Sequence, residues 1–131
     1  MGLPLAKQGD QIIGTCTHIV MIPSAGGPIP IPLPHPFVGI IDSNLSTNVK
    51  VGGRPAATVG SIANNTPPHI PTPPGTSFSV PPSNQANITM GSATVRINGK
   101  FAARMGDQAQ TCSEFPVPAT VVAAGNVMVG G

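Results

Sequence analysis

Two stretches of the chain alternate apolar and polar positions with a period of two and then reach a two-residue turn. Val49 and Val51 flank Lys50 ahead of Gly52-Gly53, and Val95 and Ile97 flank Arg96 ahead of Asn98-Gly99. Alternation of this kind gives a strand one apolar face. Gly-Gly and Asn-Gly supply the two positive-φ residues of a type I′ hairpin turn. Each stretch is therefore predicted to be a β-hairpin, one near 46–60 and one near 92–106. The returning strands run through Gly53, Arg54, Pro55, Ala56 and Ala57 to Gly60, and through Gly99, Lys100, Phe101, Ala102, Ala103 and Arg104 to Gly106 and Asp107. Paired alanines at matching positions point to a close approach of neighbouring backbones.

A third copy emerges when the chain is read as a circle. Residues 126–131 end in Val127-Met-Val-Gly-Gly131, which matches Val49 to Gly53, and residues 3–10 match Arg54 to Ser61. The expected architecture is all-β: a small cone of three β-hairpin repeats about a pseudo-threefold axis, forming a single domain over 1–131, with the termini meeting in the third repeat. Terminal strands would then close the sheet and cover its edges. Between hairpins, residues 19–45 and 64–87 are rich in Pro and small polar residues and are expected to be loops.

Composition narrows the function classes. Gly (16) and Pro (17) make up a quarter of the 131 residues, yet 40% of residues are hydrophobic and the net charge is only +2. Disorder needs higher charge and fewer β-branched residues, collagen needs a Gly-x-y period, and no apolar run is long enough to span a membrane as a helix. The six Lys and Arg are dispersed and there is no Trp or Tyr. Nucleic acid is therefore not an expected partner. The four carboxylates, Asp10, Asp42, Asp107 and Glu114, are scattered, so no acid/base pair, nucleophile triad or phosphate loop suggests an enzyme. The opening Met1 to Lys7 has no apolar run of signal-peptide length, so Sec export is not indicated and assembly in the cytoplasm is the expectation.

The remaining chemistry lies in three His and two Cys. His18 follows Gly9 by nine residues, His69 follows Gly60 by nine, and Cys112 follows Gly106 by six. On a threefold axis these positions converge at one end. His35, on the Pro-rich segment, supplies a fourth donor, giving a His₃Cys tetrahedron suited to one structural Zn²⁺, with iron the alternative metal. Four protein ligands make a closed site, which favours a staple over a catalytic centre that keeps a position open for water. Cys16 is an alternative ligand, because it lies two residues from His18. A Cys16–Cys112 disulfide and three separate surface histidines are the other readings of these residues.

Taken together, Gly53-Arg-Pro-Ala-Ala57, Gly91-Ser-Ala-Thr-Val-Arg-Ile-Asn-Gly-Lys100 and Lys100-Phe-Ala-Ala-Arg-Met-Gly-Asp107 resemble the motifs of PAAR-repeat proteins, named for proline-alanine-alanine-arginine. The resemblance covers essentially the whole chain. It implies a conical tip on the spike of a contractile injection machine of the type VI secretion kind, with a metal near the point held by His18, His35, His69 and Cys112. It also implies a base seated on a trimeric β-helical spike of the valine-glycine-repeat type, one tip per trimer. Effector cargo and transient contact with a target membrane would be further partners. The particle would assemble in the cytoplasm and its tip be delivered to a target cell or released. The sequence departs from the pattern at Thr58 and Lys7, where Arg is usual, at Ser61 for Asp, at Phe101 for Pro and at Leu5 for Ala. The competing readings are a small metalloenzyme with an open metal site and a free-standing interaction or effector-adaptor module.

Overall fold

A computed structural model of the chain describes residues 2–65, 68–71, 73–113, 118–125 and 127–129. The elements in chain order are β1 (Leu3–Pro4), β2 (Gln11–Ile22), β3 (Ile29–Ser43), β4 (Lys50–Val51), β5 (Arg54–Pro55), β6 (Ile62–Asn65), β7 (Ser77–Phe78), β8 (Gln85–Ile88), β9 (Arg96–Ile97), β10 (Lys100–Phe101), β11 (Gln108–Gln110), β12 (Pro118–Val122) and β13 (Met128–Val129). The fold is all-β, with no helix among the described residues. Recurrent proline explains this, since each costs about 3 kcal/mol in a helix interior. No helix is long and apolar enough to cross a membrane.

The main sheet closes on itself. Antiparallel pairing runs β12-β11-β8-β6-β3-β2, and β12 returns to β2 through Thr120↔Ile13, Val121↔Ile12 and Val122↔Gln11. Higher on β2, Val20 and Met21 pair instead with Phe78 and Ser77 of β7. The enclosed core contains Ile12, Phe37, Ile41, Ile88 and Val121 among many alanines. Such small side chains suit a narrow closed sheet. At Gly39 a Cβ would lie 2.6 Å from the Phe37 ring, so the strand passes that ring only as glycine.

Residues 29–43 were expected within a loop but form a fifteen-residue strand paired with β2 along Gln11 to Ile22. The reason lies in the spacing of Pro30, Pro32, Pro34 and Pro36. Successive N–H groups along a strand point to opposite sides, so prolines at every second residue all omit a donor on the side away from β2. The odd-numbered residues keep their donors for the ladder, as the Ile41 N–H to Asp10 carbonyl bond of 2.8 Å shows. The even-numbered Val38 donates the other way, to Asn65 Oδ1 at 3.0 Å.

At one end of the barrel three segments interlock. The Ala57 N–H donates to the Ala6 carbonyl at 2.9 Å, Ala103 to Ala57 at 3.1 Å, and Ala6 to Ala103 at 2.9 Å, so the bonds return to their start. A second set repeats the circuit at 2.9 Å each: Gln8 to Pro55, Val59 to Phe101, and Met105 to Pro4. Isolated bridges Lys7↔Ala56, Thr58↔Ala102 and Leu5↔Arg104 complete it. Ala6, Ala57 and Ala103 are fully buried.

Each segment then turns. Gly9, Gly60 and Gly106 have φ of 93°, 95° and 88°, conformations that favour glycine. The turn is clamped from the side chain three residues on. Asp10 Oδ2 accepts from the Lys7 N–H at 3.0 Å, Asp107 Oδ2 from Arg104 at 2.8 Å, and Ser61 Oγ from Thr58 at 2.9 Å. The two aspartates add ion pairs, Lys7–Asp10 at 3.2 Å and Arg104–Asp107 at 3.1 Å. Ser61 replaces a carboxylate with a hydroxyl and keeps the backbone bond.

Beyond the ring lie the small hairpins β4–β5 and β9–β10. Their turn residues Gly52 and Gly53 have φ of 58° and 84°, and Asn98 and Gly99 have 52° and 81°. β1 pairs with β13 through Leu3↔Val129 and Pro4↔Met128; the expected third turn falls on residues 130, 131 and 1, outside the described residues. Leu5, Val51, Ala56, Ile97, Ala102 and Val129 form a second apolar cluster under these hairpins.

Candidate metal centre

The functional side chains stand on the strands that rise from the ring. Even-numbered residues of β2 face inward, which places Cys16 and His18 one above the other, both essentially fully buried. Across the ladder Cys16 pairs with His35 and His18 with Leu33. His69 follows β6; its backbone N–H donates to Asn84 Oδ1 at 2.7 Å, and its Nδ1 lies 3.2 Å from Asn65 Nδ2. Cys112 follows β11, and its neighbour Ser113 accepts the Thr17 N–H at 2.9 Å, tying that segment to β2 beside Cys16.

Cys16, His18, His69 and Cys112 each bring one donor atom to a group whose members lie within 4.8 Å of one another. The two Sγ atoms are 3.4 Å apart, and Cys112 Sγ is 3.4 Å from His18 Nε2. His35 stands directly beside the group, its ring centroid 5.6 Å from His18 and 5.5 Å from His69, with Nδ1 3.0 Å from the Leu33 carbonyl. The structure thus gathers His18, His69 and Cys112, three of the four expected ligands. Cys16 completes the close group, and His35 sits at its edge.

These residues fit a metal. Zinc bonds of 2.0–2.3 Å in a tetrahedron put a nitrogen and a sulfur donor about 3.5 Å apart, close to the 3.4 Å between Cys112 Sγ and His18 Nε2. His69 Nε2 is buried and hydrogen-bonds to no described atom, an expensive arrangement for a polar group unless something binds it. Imidazole and thiolate donors together suit Zn²⁺ and iron.

The electrostatics hold the His35 and His69 imidazoles in their neutral ligand form and treat the two thiols in opposite ways. Burial, reinforced by His18 and His35, pushes the His69 imidazole down to about 4. His35 is also lowered, chiefly by burial. The Cys112 S–H beside it draws the Cys16 thiol down to about 7 against the opposing effect of burial. Cys112 is raised correspondingly, by Cys16 and then by burial. A cation that binds Cys112 must therefore displace its proton.

Sequence reasoning missed the residues that shape this site. Phe78 of β7 stacks at 5.6 Å from His18 and 5.3 Å from His35, and Phe37 lies 6.1 Å from His69. Asn65 and Asn84 orient His69 and are linked by an N–H to carbonyl bond of 2.8 Å. Nothing local marks them; only the positive φ of 59° at Asn84 has a sequence correlate, in asparagine's tolerance of that conformation. Of the four carboxylates, Glu114 lies outside the described residues, Asp10 and Asp107 are paired at the ring, and Asp42 accepts from Ser43 and Asn64.

A family model described as the PAAR motif matches residues 21–112, which include both small hairpins, His35, His69 and Cys112. Among curated proteins none matches the chain.

Proposed function

Because the chain belongs to the PAAR-motif family, we propose that it is the metal-stapled conical tip of a contractile injection system. It caps and sharpens a trimeric β-helical spike of the valine-glycine-repeat type and helps pierce the target envelope. The observation that carries this reading is the convergence of His18, His69 and Cys112, from three separate rises off one ring, onto a single point. One structural Zn²⁺ is held there by these three residues and His35; Cys16 is the alternative fourth ligand, and iron the alternative metal. Burial between Phe37 and Phe78 supports a closed staple rather than an open site for water, so the role is structural and not catalytic.

The whole chain acts as one unit over 1–131, its pseudo-threefold character supported by the cyclic bonds of Ala6, Ala57 and Ala103. The end bearing the small hairpins faces the spike. It carries the second apolar cluster and exposes Leu3, Val49, Val127 and Met128. Strand ends on that face continue the β-helix by augmentation. The tip assembles in the cytoplasm, carries cargo effectors where these dock on it, and is delivered to the target cell or released with the particle.

The deciding experiment is co-purification with a trimeric spike protein, with mass measurement of the complex. One tip per three spike chains is expected, and an absence of complex at micromolar concentrations refutes the assignment. Metal analysis of the same sample should give one zinc or iron per tip. Loss of it in His35→Ala but not in Cys16→Ala identifies the fourth ligand as His35.

A further inference from the structure

We propose that Cys16 and Cys112 form a reversible intramolecular disulfide whose formation excludes a metal from the site, so that the tip has two alternative clamps selected by the oxidant present. The metal half of this statement rests on the reading above; the disulfide half does not. Both cysteines are free thiols, and their sulfurs lie 3.4 Å apart although the residues are 96 positions apart in the chain. A disulfide needs about 2.05 Å between sulfurs, a closure of about 1.4 Å that side-chain rotation can supply. The backbones are already anchored side by side, because Ser113 accepts the Thr17 N–H at 2.9 Å. The structural metal needs at most one of these sulfurs in the His₃Cys set, which leaves the buried Cys16 without an assigned task.

The oxidant is a two-electron acceptor such as hydrogen peroxide. One of the two sulfurs takes one peroxide oxygen as the O–O bond breaks, giving a sulfenic acid and one water. The other sulfur, 3.4 Å away, then attacks it, the S–O bond breaks, and the hydroxyl leaves with the second thiol's proton as a second water. Each sulfur is oxidised by one electron and the two peroxide oxygens are reduced. The product lacks the Cys112 thiolate, a member of either ligand set, so zinc must leave.

The two clamps do not hold the same things. A metal in the His₃Cys set joins β2, β3, the segment after β11 and the His69 segment. The disulfide joins only β2 and the segment after β11, and releases His35 and His69. Oxidation should therefore loosen residues 68–71 while leaving the barrel closed.

The test is mild peroxide treatment of the purified full chain, with zinc removed beforehand and in a parallel zinc-loaded sample. The metal-free chain is expected to lose about 2 Da and both reactive thiols, to run as a monomer on a non-reducing gel, and to bind less than about one-tenth of its former zinc until dithiothreitol restores it. Cys16→Ser has no second sulfur and should instead gain about 16 or 32 Da. The proposal is overturned if the wild-type chain gains mass as the variant does, if disulfides join separate chains, or if the oxidised chain still binds one zinc. Failure of the reduced chain to take up any metal counts against the staple alone, because mass and thiol count read the disulfide without it.

Discussion

The alanine ring and the histidine–cysteine cluster perform one task by opposite means. Both fasten three segments that are far apart in the chain. The ring uses backbone N–H and carbonyl groups at 2.9–3.1 Å around side chains no larger than a methyl, so it needs no bound partner. The cluster uses imidazoles and thiols, and its strength depends on what occupies it. Charge follows the same division. No Asp, Glu, Lys or Arg occurs in residues 11–41 or 55–95, whereas Lys7, Asp10, Arg104 and Asp107 gather at the ring. On the proposed reading, one end of the molecule is locked by its own backbone and the other only when a metal is bound.

The largest effect that separates them should come from metal removal. Chelation of the zinc-loaded protein, or Cys112→Ala, is expected to lower stability by on the order of 5 kcal/mol. Amide exchange should speed up at His69 and Asn65 and stay slow at Ala6, Ala57 and Ala103. Equal loss of protection at the ring would abolish the distinction.

The reverse experiment attacks the ring. Ala57→Leu adds three carbons at a fully buried position of the ring and should cost about 3 kcal/mol, read by urea denaturation. Zinc stoichiometry of the folded fraction should stay at one. A variant that loses zinc in proportion to stability would show that ring and cluster are one cooperative element.

Acid should act on the cluster and not on the ring. The metal-free chain holds His69 neutral down to about 4, whereas an unfolded histidine takes its proton near 6.5. The unfolded state therefore binds more protons in that window, and stability falls as pH drops through it, levelling below about pH 4. A melting temperature lower by several degrees at pH 4.5 than at pH 7 is expected, with much of the slope removed in His69→Gln. An unchanged slope in that variant would place the titration elsewhere.

The smallest contrast lies within the ring. Asp107→Asn removes a charged acceptor from the Arg104 turn and should cost about 1–2 kcal/mol, whereas Ser61→Ala at the corresponding turn should cost about 1 kcal/mol. Salt should shrink the first value and leave the second unchanged; equal sensitivity would mean that the ion pair adds nothing to the backbone clamp.

Much of this was legible in the chain because its signals are local. Asn98-Gly99 and Gly52-Gly53 mark turns by backbone preference, and Ala56-Ala57 and Ala102-Ala103 mark close approach by size. His18 and His69 share one spacing from a turn glycine, which sufficed to place them at one end. β3 was not legible as a strand, because proline usually argues against one and only the partner β2 shows that the alternating prolines all fall on the unused side. Phe78 reaches the cluster through a two-residue pairing with β2, opposite Val20 and 58 positions from it, and Asn65 matters because Asn84 meets it. Such roles arise from packing and have no sequence pattern of their own. The rival claims of Cys16 and His35 have the same origin: they are cross-strand partners, a relation set by register.

The prolines of β3 have one more consequence. No described strand pairs with residues 29–38 on the side away from β2, and along that flank the chain offers carbonyls with its donors removed at every second position. An exposed row of alternating donors and acceptors is what recruits a stray strand into an aggregate. Pro30, Pro32, Pro34 and Pro36 make this flank unable to template such growth, so an uncharged, weakly polar end can be crowded against copies of itself without adhering to them.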